Sequence, residues 1–341
     1  MEYRSLGGTG VKVSKICLGS MMFGEWGNPD HADSIRIIHT ALDAGVNFID
    51  TADMYSGGEC EEIVGKAIAG RRDDVVVATK FFNRMGRGPN RQGSSRRWII
   101  QACEDSLRRL GTDHIDLYQL HRYEPRTDLD ETLGALSDLV HQGKVRYIGT
   151  SKLPASRIVE SQWVSERRAL ERFVCEQPPY SLLNRGIEAE VLPTCERYRV
   201  GVITWGPLGG GWLSGRYRKG ITEVSSTRSD RVPERYDLSL PENQPKLEAA
   251  EALAVLAEES GLSLIHLAIA FVLRHPAITS AIIGPRTMEH LESQIGAADV
   301  KLSTDVLDRI DKIVPPGSNV TASDNGYAPP SILNAKLRRR P

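Results

Sequence analysis

Polar side chains that can carry or orient a proton follow three successive apolar runs of the chain. They are Asp50 and Tyr55 after Asn47–Ile49, Lys80 after Val75–Ala78, and His121 after Ile115–Leu120. A tyrosine hydroxyl keeps its proton at neutral pH, because its ordinary pKa is about 10, yet it can donate that proton to a developing alkoxide. A lysine ammonium beside it favours the phenolate, a carboxylate holds the lysine charged, and an imidazole can hydrogen-bond the reacting oxygen. The four residue types suit reduction of a carbonyl group, with the hydride supplied by a nicotinamide.

Each of these residues also has an ordinary structural explanation when it is taken by itself. An aspartate at a strand end usually caps a helix, a lysine there is usually solvated, and a single histidine is usually just packed. The prediction of a shared site therefore depends on whether the elements that carry these residues bring them together.

Short apolar runs alternate with helix-length segments along most of the chain. The predicted strands are Ile16–Leu18, Asn47–Ile49, Val75–Ala78, Ile115–Leu120, Val145–Ile148, Phe173–Cys175, Gly201–Thr204 and Ser280–Ile283. The predicted helices are Asp33–Ala44, Glu59–Ala69, Ser95–Leu110, Leu129–His141, Glu188–Tyr198, Lys246–Glu259, Ser263–His275 and Thr304–Ile313. This alternation predicts an α/β fold, a (β/α)8 TIM barrel with extra helices before and after strand 8. Because all strands of such a barrel end at one rim, residues distant in sequence converge there.

The remaining segments are arranged around this barrel. Two short alternating runs around Gly7 and Gly8 predict an N-terminal β-hairpin. Residues 206–245, rich in Gly, Ser, Arg and Pro, form a long insertion after the seventh strand, on the catalytic face. We predict one domain over residues 1–341, with the hairpin in 1–15, the barrel in 16–300, and a C-terminal helix and tail in 301–341. The tail, which ends in Arg338-Arg-Arg340-Pro, either covers the barrel mouth or is solvated.

A doubly wound dinucleotide-binding fold is the rival architecture. It requires the spacing G-x-G-x-x-G after an early strand. The segment from Gly19 to Gly24 lacks the middle glycine, and the glycine-rich segment from Gly206 to Gly215 has a different spacing. A nucleotide must therefore bind by other means.

Composition excludes several classes of partner. Of 341 residues, 40% are hydrophobic and 26% are charged, with a formal net charge of −1. Nucleic acids and membrane surfaces attract a strong basic excess, so neither is a predicted partner. The five scattered cysteines are typical of reduced thiols in a cytoplasmic protein. No residues stand at metal-ligand spacing, so no metal is predicted. A small-molecule carbonyl substrate is the expected partner, and a homo-oligomer is possible.

Two segments resemble the signatures of the aldo-keto reductases. The first is Gly45-Val-Asn-Phe-Ile-Asp-Thr-Ala-Asp-Met-Tyr-Ser-Gly-Gly-Glu59, followed by Glu61-Glu-Ile-Val-Gly-Lys-Ala67. The second is Ser106-Leu-Arg-Arg-Leu-Gly-Thr-Asp113, followed by Ile115-Asp-Leu-Tyr-Gln-Leu-His121. The resemblance extends from the hairpin to about residue 300. It implies the same barrel, with Tyr55 as general acid and Asp50, Lys80 and His121 completing a tetrad.

The resemblance also implies an NADPH site. Ser151 and Gln177 are expected to hold the nicotinamide carboxamide, and Trp205 to stack on the nicotinamide ring. The backbone of Gly206-Pro-Leu-Gly209 is expected to cradle the pyrophosphate, and Arg286 to pair with the 2′-phosphate, since a guanidinium suits phosphate geometry. A solvent-facing arginine at a helix start is the alternative for Arg286. The full predicted cofactor site is Gly19, Ser20, Met21, Asp50, Ser151, Lys152, Gln177, Trp205, Gly206, Pro207, Leu208, Gly209, Arg216, Gly284, Arg286, His290 and Gln294.

Two other functions are weighed against a reductase. Lys152 and residues 205–217 resemble the branch that contains potassium-channel β subunits, which suggests a nucleotide-sensing regulatory subunit with slow or incidental reduction. Those subunits carry Asn where this chain has His121, so the complete tetrad favours an enzyme. An unrelated barrel enzyme, such as a phosphosugar isomerase, would need a carboxylate base and no stacking residue, and Trp205 counts against it.

The substrate is the least determined part of the prediction. The residues expected to line its pocket are Met22, Trp26, Phe82, Arg122 and Trp212. Several arginines in or near the third loop could attract an anionic substrate such as a nucleotide-linked keto-sugar. They are Arg84, Arg87, Arg91, Arg96 and Arg97. The alternative, a solvated loop that leads into a helix, is the favoured interpretation.

Overall fold

Eight short strands pair in parallel, each with the next along the chain, and the last pairs with the first. They are β3 (Ile16–Gly19), β4 (Phe48–Asp50), β5 (Val76–Phe81), β6 (Ile115–Leu120), β7 (Val145–Thr150), β8 (Cys175–Glu176), β9 (Gly201–Trp205) and β10 (Ile278–Ile283), after an antiparallel hairpin of β1 (Tyr3–Ser5) and β2 (Lys12–Ser14). The predicted (β/α)8 barrel with its N-terminal hairpin is confirmed. This computed structural model describes residues 1–221, 224, 226–324 and 326–339. Three positions of the predicted insertion and three of the predicted tail lie outside the described residues.

Helices lie around the barrel and, in the insertion after β9 and in the tail, at its rim. They are α1 (His31–Asp43), α2 (Glu59–Ile68), α3 (Arg96–Leu110), α4 (Leu129–His141), α5 (Ala155–Arg168), α6 (Val191–Tyr198), α7 (Thr227–Arg231), α8 (Gln244–Glu259), α9 (Leu264–Arg274), α10 (Met288–Ile295), α11 (Thr304–Ile313) and α12 (Pro330–Leu333). Several begin at a side-chain cap: Asp30 accepts from the Asp33 amide before α1, and Ser95 from the Trp98 amide before α3. Because α1 to α6 each lie between two successive strands, every crossover returns the chain to the same end of the barrel.

Two elements begin two or more residues later than the sequence predicts. The predicted helix Glu188–Tyr198 becomes regular only at Val191, because Pro193 lacks an amide hydrogen and fits only in the first turn of a helix. The predicted strand Phe173–Cys175 pairs with its neighbours only over β8, at its carboxyl end. The helix α5 was not predicted from the sequence.

The hairpin closes the amino-terminal end of the barrel. Leu6 and Val13 are fully buried and pack in one cluster with interior side chains such as Phe48. Gly7 has φ +57, and a Cβ there would lie 2.5 Å from the amide nitrogen of Gly201, at the start of β9. Only a glycine allows this close approach. The open end of the barrel is therefore the carboxyl-terminal rim.

The C-terminal tail lies against this rim. Asp324 forms ion pairs with Lys246 at 2.7 Å and with Arg235 at 2.6 Å. The ring of Tyr327 meets the edge of the Tyr123 ring, with centroids 6.0 Å apart. Charge and ring contacts thus connect the tail to the loops after β6 and β9.

No single helix among the described residues is long and apolar enough to cross a membrane. Two helical segments, Pro241–Glu259 and Leu264–Arg274, satisfy the length and composition only as a pair, and they are bent by 95°.

Candidate active site

Lys80 lies at the centre of a polar cluster on the carboxyl-terminal rim. Its ammonium donates to Asp50 Oδ2 at 2.6 Å, to the carbonyl oxygen of Thr51 at 2.7 Å and to Tyr55 Oη at 3.3 Å. The rings of Tyr55 and His121 are nearly perpendicular, with centroids 5.9 Å apart. The structure therefore brings together the four residues that the strand pattern places on one rim.

Short local features of the chain position these side chains. Asp50 is the last residue of β4, and His121 follows β6 directly. Lys80 is the next-to-last residue of β5, so it lies inside the strand rather than after it as predicted. After Tyr55, residues 56–58 take left-handed φ values of 46°, 67° and 107°, which turn the chain back before α2 begins. Glycine at two of these three positions adopts such φ values without a steric penalty, whereas Ser56 adopts its value as a non-glycine residue.

Burial and neighbouring charges determine the protonation states of the cluster. Burial lowers the pKa of Lys80, but Asp50 and Tyr55 raise it more, so the ammonium stays charged. Burial raises the pKa of Tyr55 and outweighs the opposite effect of Lys80, so the phenol keeps its proton. Burial, together with nearby cations, holds the pKa of His121 well below its usual range, so the imidazole is neutral.

Asn83 orients this neutral imidazole, a contact that sequence reasoning missed. Its amide nitrogen Nδ2 lies 3.0 Å from His121 Nδ1. Since the amide donates to Nδ1, the ring hydrogen is on Nε2, which can donate to a substrate oxygen. Asn83 stands two residues after β5, in a loop where the sequence carries no signal that distinguishes it from its neighbours.

A groove of about 450 Å³ opens beside the cluster and is also lined by residues that follow β9 and β10. Such a volume is typical of small-molecule and cofactor sites, which occupy roughly 300–1,000 Å³. The predicted cofactor residues that line it are Gly19, Met21, Asp50, Gln177, Trp205, Gly206, Pro207, Leu208, Arg216, Gly284, Arg286, His290 and Gln294. Tyr55 and Met22 line it as well, so the groove and the polar cluster form one continuous site.

Comparison with known proteins identifies this site's family. The profile of the Aldo/keto reductase family matches residues 15–315. The chain belongs to that family. As a family member, the protein is an oxidoreductase, and the family generally uses nicotinamide cofactors.

Relatives of the reductase cover almost its whole length. It is 39% identical to the oxidoreductase YrpG of Bacillus subtilis over 326 residues, which is 92% of this chain and 96% of that protein. It is 36% identical to a probable voltage-gated potassium channel subunit beta of Oryza sativa, over 92% of this chain and 97% of that one. It is 35% identical to the aldo-keto reductase YhdN of Bacillus subtilis, over 86% of this chain and 87% of that protein.

The groove of the reductase has features that suit a dinucleotide. Gly206, with φ +71, and Gly284 have no heavy atom within 4 Å of the position of a Cβ, so their backbone faces open space. Backbone of this kind can approach phosphate or ribose oxygens closely.

Four predicted cofactor residues lie beside the groove rather than on its lining. They are Ser20, Ser151, Lys152 and Gly209. The Ser151 hydroxyl donates to the carbonyl oxygen of Gln177 at 2.8 Å, and the ammonium of Lys152 lies 4.7 Å from the ring centre of Trp205. Ser151 and Lys152 therefore contact groove residues without lining the groove themselves.

The predicted substrate residues divide into two groups. The Trp26 ring lies 6.1 Å from the Tyr55 ring, and Phe82 and Arg122 are half-buried near Lys80 and His121. Trp212 is in a different environment. Its ring is 2% exposed and stacks on Tyr217 and Tyr236, with centroids 4.5 and 6.2 Å away. The structure therefore does not bring Trp212 to the substrate site, because its ring is buried against Tyr217 and Tyr236 of its own insertion.

Sequence reasoning missed much of one wall of the groove. The unpredicted lining residues are Gly210, Gly211, Ser214, Tyr217, Ser226, Thr227, Arg228, Asp230, Ile265, Ile282 and Ser293. Four of them belong to α7 or its cap, in the insertion after β9. A guanidinium nitrogen of Arg228 lies 3.8 Å from the position of a Cβ on Gly210, so it stands over the glycine-rich loop. The features of the sequence that could have indicated this wall of the groove are the length of the insertion after β9 and its arginine content.

The arginines in or near the third loop are exposed, and none of them lines the groove. Arg84 donates to Gln92 at 3.2 Å, Arg96 pairs with Asp138, and their side chains are exposed. This arrangement agrees with a solvated loop. Within the described ranges, no group of three His, Cys, Asp or Glu residues could hold a metal ion.

Proposed function

We propose that this reductase converts an aldehyde or ketone into an alcohol, with NADPH as hydride donor and Tyr55 as proton donor. The observation that carries the proposal is the contact between Lys80 Nζ and Tyr55 Oη at 3.3 Å, next to a groove of about 450 Å³. A protonated phenol beside a buried, charged lysine is chemically suited to donate a proton and to tolerate the resulting phenolate.

Each residue of the cluster has a distinct part in this chemistry. A bound nicotinamide supplies the hydride. Tyr55 donates its proton to the carbonyl oxygen, and Lys80 stabilises the negative charge that develops on the phenol oxygen. Asp50, at 2.6 Å from Lys80 Nζ, keeps the lysine charged and in place. His121, with its hydrogen on Nε2, donates to the same substrate oxygen and helps to stabilise the alkoxide.

The preference for NADPH rests on Arg286. It lines the groove one residue before the cap of α10, whose first turn presents free amides. A helix start and a guanidinium together favour a phosphate group, which NADPH has on its adenosine ribose and NADH lacks. His290, with its pKa lowered by burial and by neighbouring arginines, is neutral and adds no further positive charge.

The test of the chemistry is Tyr55→Phe. We expect NADPH-dependent reduction of a panel of aldehydes, ketones and keto-sugars to fall by about 100-fold or more, since general acids contribute about 10²- to 10⁴-fold. NADPH affinity, measured by fluorescence titration, should stay within about twofold. The matched control is Tyr118→Phe, which removes another buried phenol whose hydroxyl points to the carbonyl of Ile99. Near wild-type reduction by Tyr55→Phe would exclude Tyr55 as the acid. A wild type that binds NADPH but reduces nothing in the panel would favour the sensor function instead.

The test of cofactor choice compares two arginines of the same groove. Arg286→Ala should lower the affinity for NADPH far more than for NADH, whereas Arg216→Ala should weaken both to a similar extent. Dissociation constants for the two cofactors, measured on the same preparations, provide the comparison. An unchanged NADPH-to-NADH ratio in Arg286→Ala would remove the assignment of the 2′-phosphate to Arg286.

A further inference from the structure

Two cations stand side by side on the rim, on the side of His121. Arg122 follows His121 at the end of β6, and Lys152 follows Ser151 at the end of the neighbouring β7. The two strand ends are joined by the hydrogen bond from the Ser151 amide to the Leu120 carbonyl, at 2.9 Å. Neither cation has a carboxylate within ion-pair distance among the residues that the structure describes. Since β6 and β7 fix this proximity, the two positive charges are held together by the barrel itself.

A third cation reaches the same place from the insertion after β9. Arg235 shares the carboxylate of Asp324 with Lys246, at 2.6 and 2.7 Å. One carboxylate therefore balances only one of these two cations. The nearby Glu176 is fully buried and bonded to Thr150, and burial raises its pKa to about 7, so it contributes only part of a negative charge.

The electrostatic effect of this cluster is visible at Lys152. Burial, followed by the charges of Arg122 and Arg235, lowers the pKa of Lys152 to about 8. The lysine stem is covered by the tail, since its Cγ lies 3.9 Å from the position of a Cβ on Gly326. Lys152 cannot easily leave the cluster for solvent. Arg122, Lys152, Arg235 and Lys246 thus share one fully ionised carboxylate, that of Asp324, and this excess of positive charge is expected to attract an anion.

We propose that Arg122, Lys152 and Arg235 bind an anionic group, a carboxylate or a phosphate, carried by the carbonyl substrate itself. This inference rests on the proposed reductase function. The cluster is distinct from the lining of the cofactor groove, whose cations include Arg216 and Arg286. Because Arg122 follows His121 directly, a carbonyl bound at Tyr55 and His121 leaves the rest of the substrate within reach of these cations. The substrate class is thus a carbonyl compound with a negative charge remote from the carbonyl.

Matched substrate pairs test this proposal. The first pair is 4-carboxybenzaldehyde and its neutral amide, 4-formylbenzamide; the second is glyceraldehyde 3-phosphate and glyceraldehyde. In the wild type, kcat/KM for the anionic member should exceed that for the neutral member by at least about tenfold in one pair, since a hydrogen bond to a charged group is worth roughly 10- to 150-fold. The pair that shows the preference identifies carboxylate or phosphate as the bound group.

Single substitutions then show which residues cause the preference for the anionic substrate. Arg122→Gln, Lys152→Gln and Arg235→Gln should each reduce the anionic-to-neutral ratio several-fold. Both substrates of a pair are measured on the same preparation with the same cofactor. Effects of a substitution on folding or cofactor binding therefore cancel in the anionic-to-neutral ratio of kcat/KM. The control is Arg108→Gln on α3, a 68%-exposed arginine whose loss changes the net charge equally. It should leave the ratio unchanged.

The outcomes separate this inference from the proposed function. Equal kcat/KM within both pairs, with clear reduction of all four compounds, would overturn the anion site and leave the reductase intact. An equal loss of preference in Arg108→Gln would also overturn it, because the effect would then be long-range attraction. Failure to reduce any of these four compounds or any member of the panel of aldehydes, ketones and keto-sugars would instead refute the proposed function.

Discussion

Replacement of Asp50 by asparagine tests the buried charge arrangement beneath the site. Asp50→Asn keeps the shape of the side chain but leaves the Lys80 ammonium, 0% exposed, without its carboxylate at 2.6 Å. The folded variant can avoid a lone buried charge only by releasing the lysine proton. Relative to an unfolded lysine with a pKa of about 10.4, this release costs about 5 kcal/mol at pH 7 and about 2 kcal/mol at pH 9, at about 1.4 kcal/mol per pH unit.

The sign of the pH effect follows from the two folded states. In the wild type the pKa of Lys80 is raised, so its contribution to stability is fully present at both pH values and is lost only at higher pH. In Asp50→Asn the pKa of the folded lysine lies below that of the unfolded one. The stability of the variant therefore rises with pH across this window, and its deficit relative to the wild type shrinks.

Urea unfolding of both proteins at pH 7 and pH 9, followed by circular dichroism, measures this difference. The control is Asp43→Asn, a 63%-exposed partner of Arg71, for which we expect a change below about 1 kcal/mol that does not depend on pH. A loss below about 1 kcal/mol in Asp50→Asn at pH 7, or the same loss at both pH values, would refute the reasoning.

Urea unfolding of three further variants tests the protonation of His121 and the packing around Gly65. Because the pKa of His121 is held below 6.5, wild-type stability should fall as the pH drops below that value, by up to about 2 kcal/mol at pH 5, and His121→Asn should lack this component. Equal acid sensitivity of the two proteins would contradict this. Gly65→Ala should destabilise by about 1–3 kcal/mol, because a Cβ would lie 2.5 Å from the Leu110 carbonyl oxygen. Gly134→Ala, in α4 with nothing within 4 Å, should instead stabilise by up to about 1 kcal/mol, so changes of the same sign would exclude the packing argument.

The residue types at the strand ends were readable from the sequence, and so was the barrel. Strands and helices are local in origin: apolar runs of a few residues alternate with amphipathic segments, and short loops leave few ways to connect them. Once eight parallel strands close, their carboxyl ends meet without any further information. The convergence of Asp50, Lys80 and His121 on one rim could therefore be predicted before any contact was known.

Other features were decided only by the tertiary structure, because they depend on burial and on contacts between distant parts of the chain. The sequence predicts that Tyr55 keeps its proton, but only the tertiary structure shows that burial raises the pKa of Tyr55 against the opposite effect of Lys80. The pair Arg235 and Asp324 joins residues 89 positions apart, and no local pattern indicates it. The environment of Trp212 was also decided only by the tertiary structure. Its aromatic side chain and its position in the insertion after β9 suggest a substrate contact. Its ring is instead enclosed by neighbours from its own insertion, since a large aromatic ring gains more free energy from burial than from exposure at the rim.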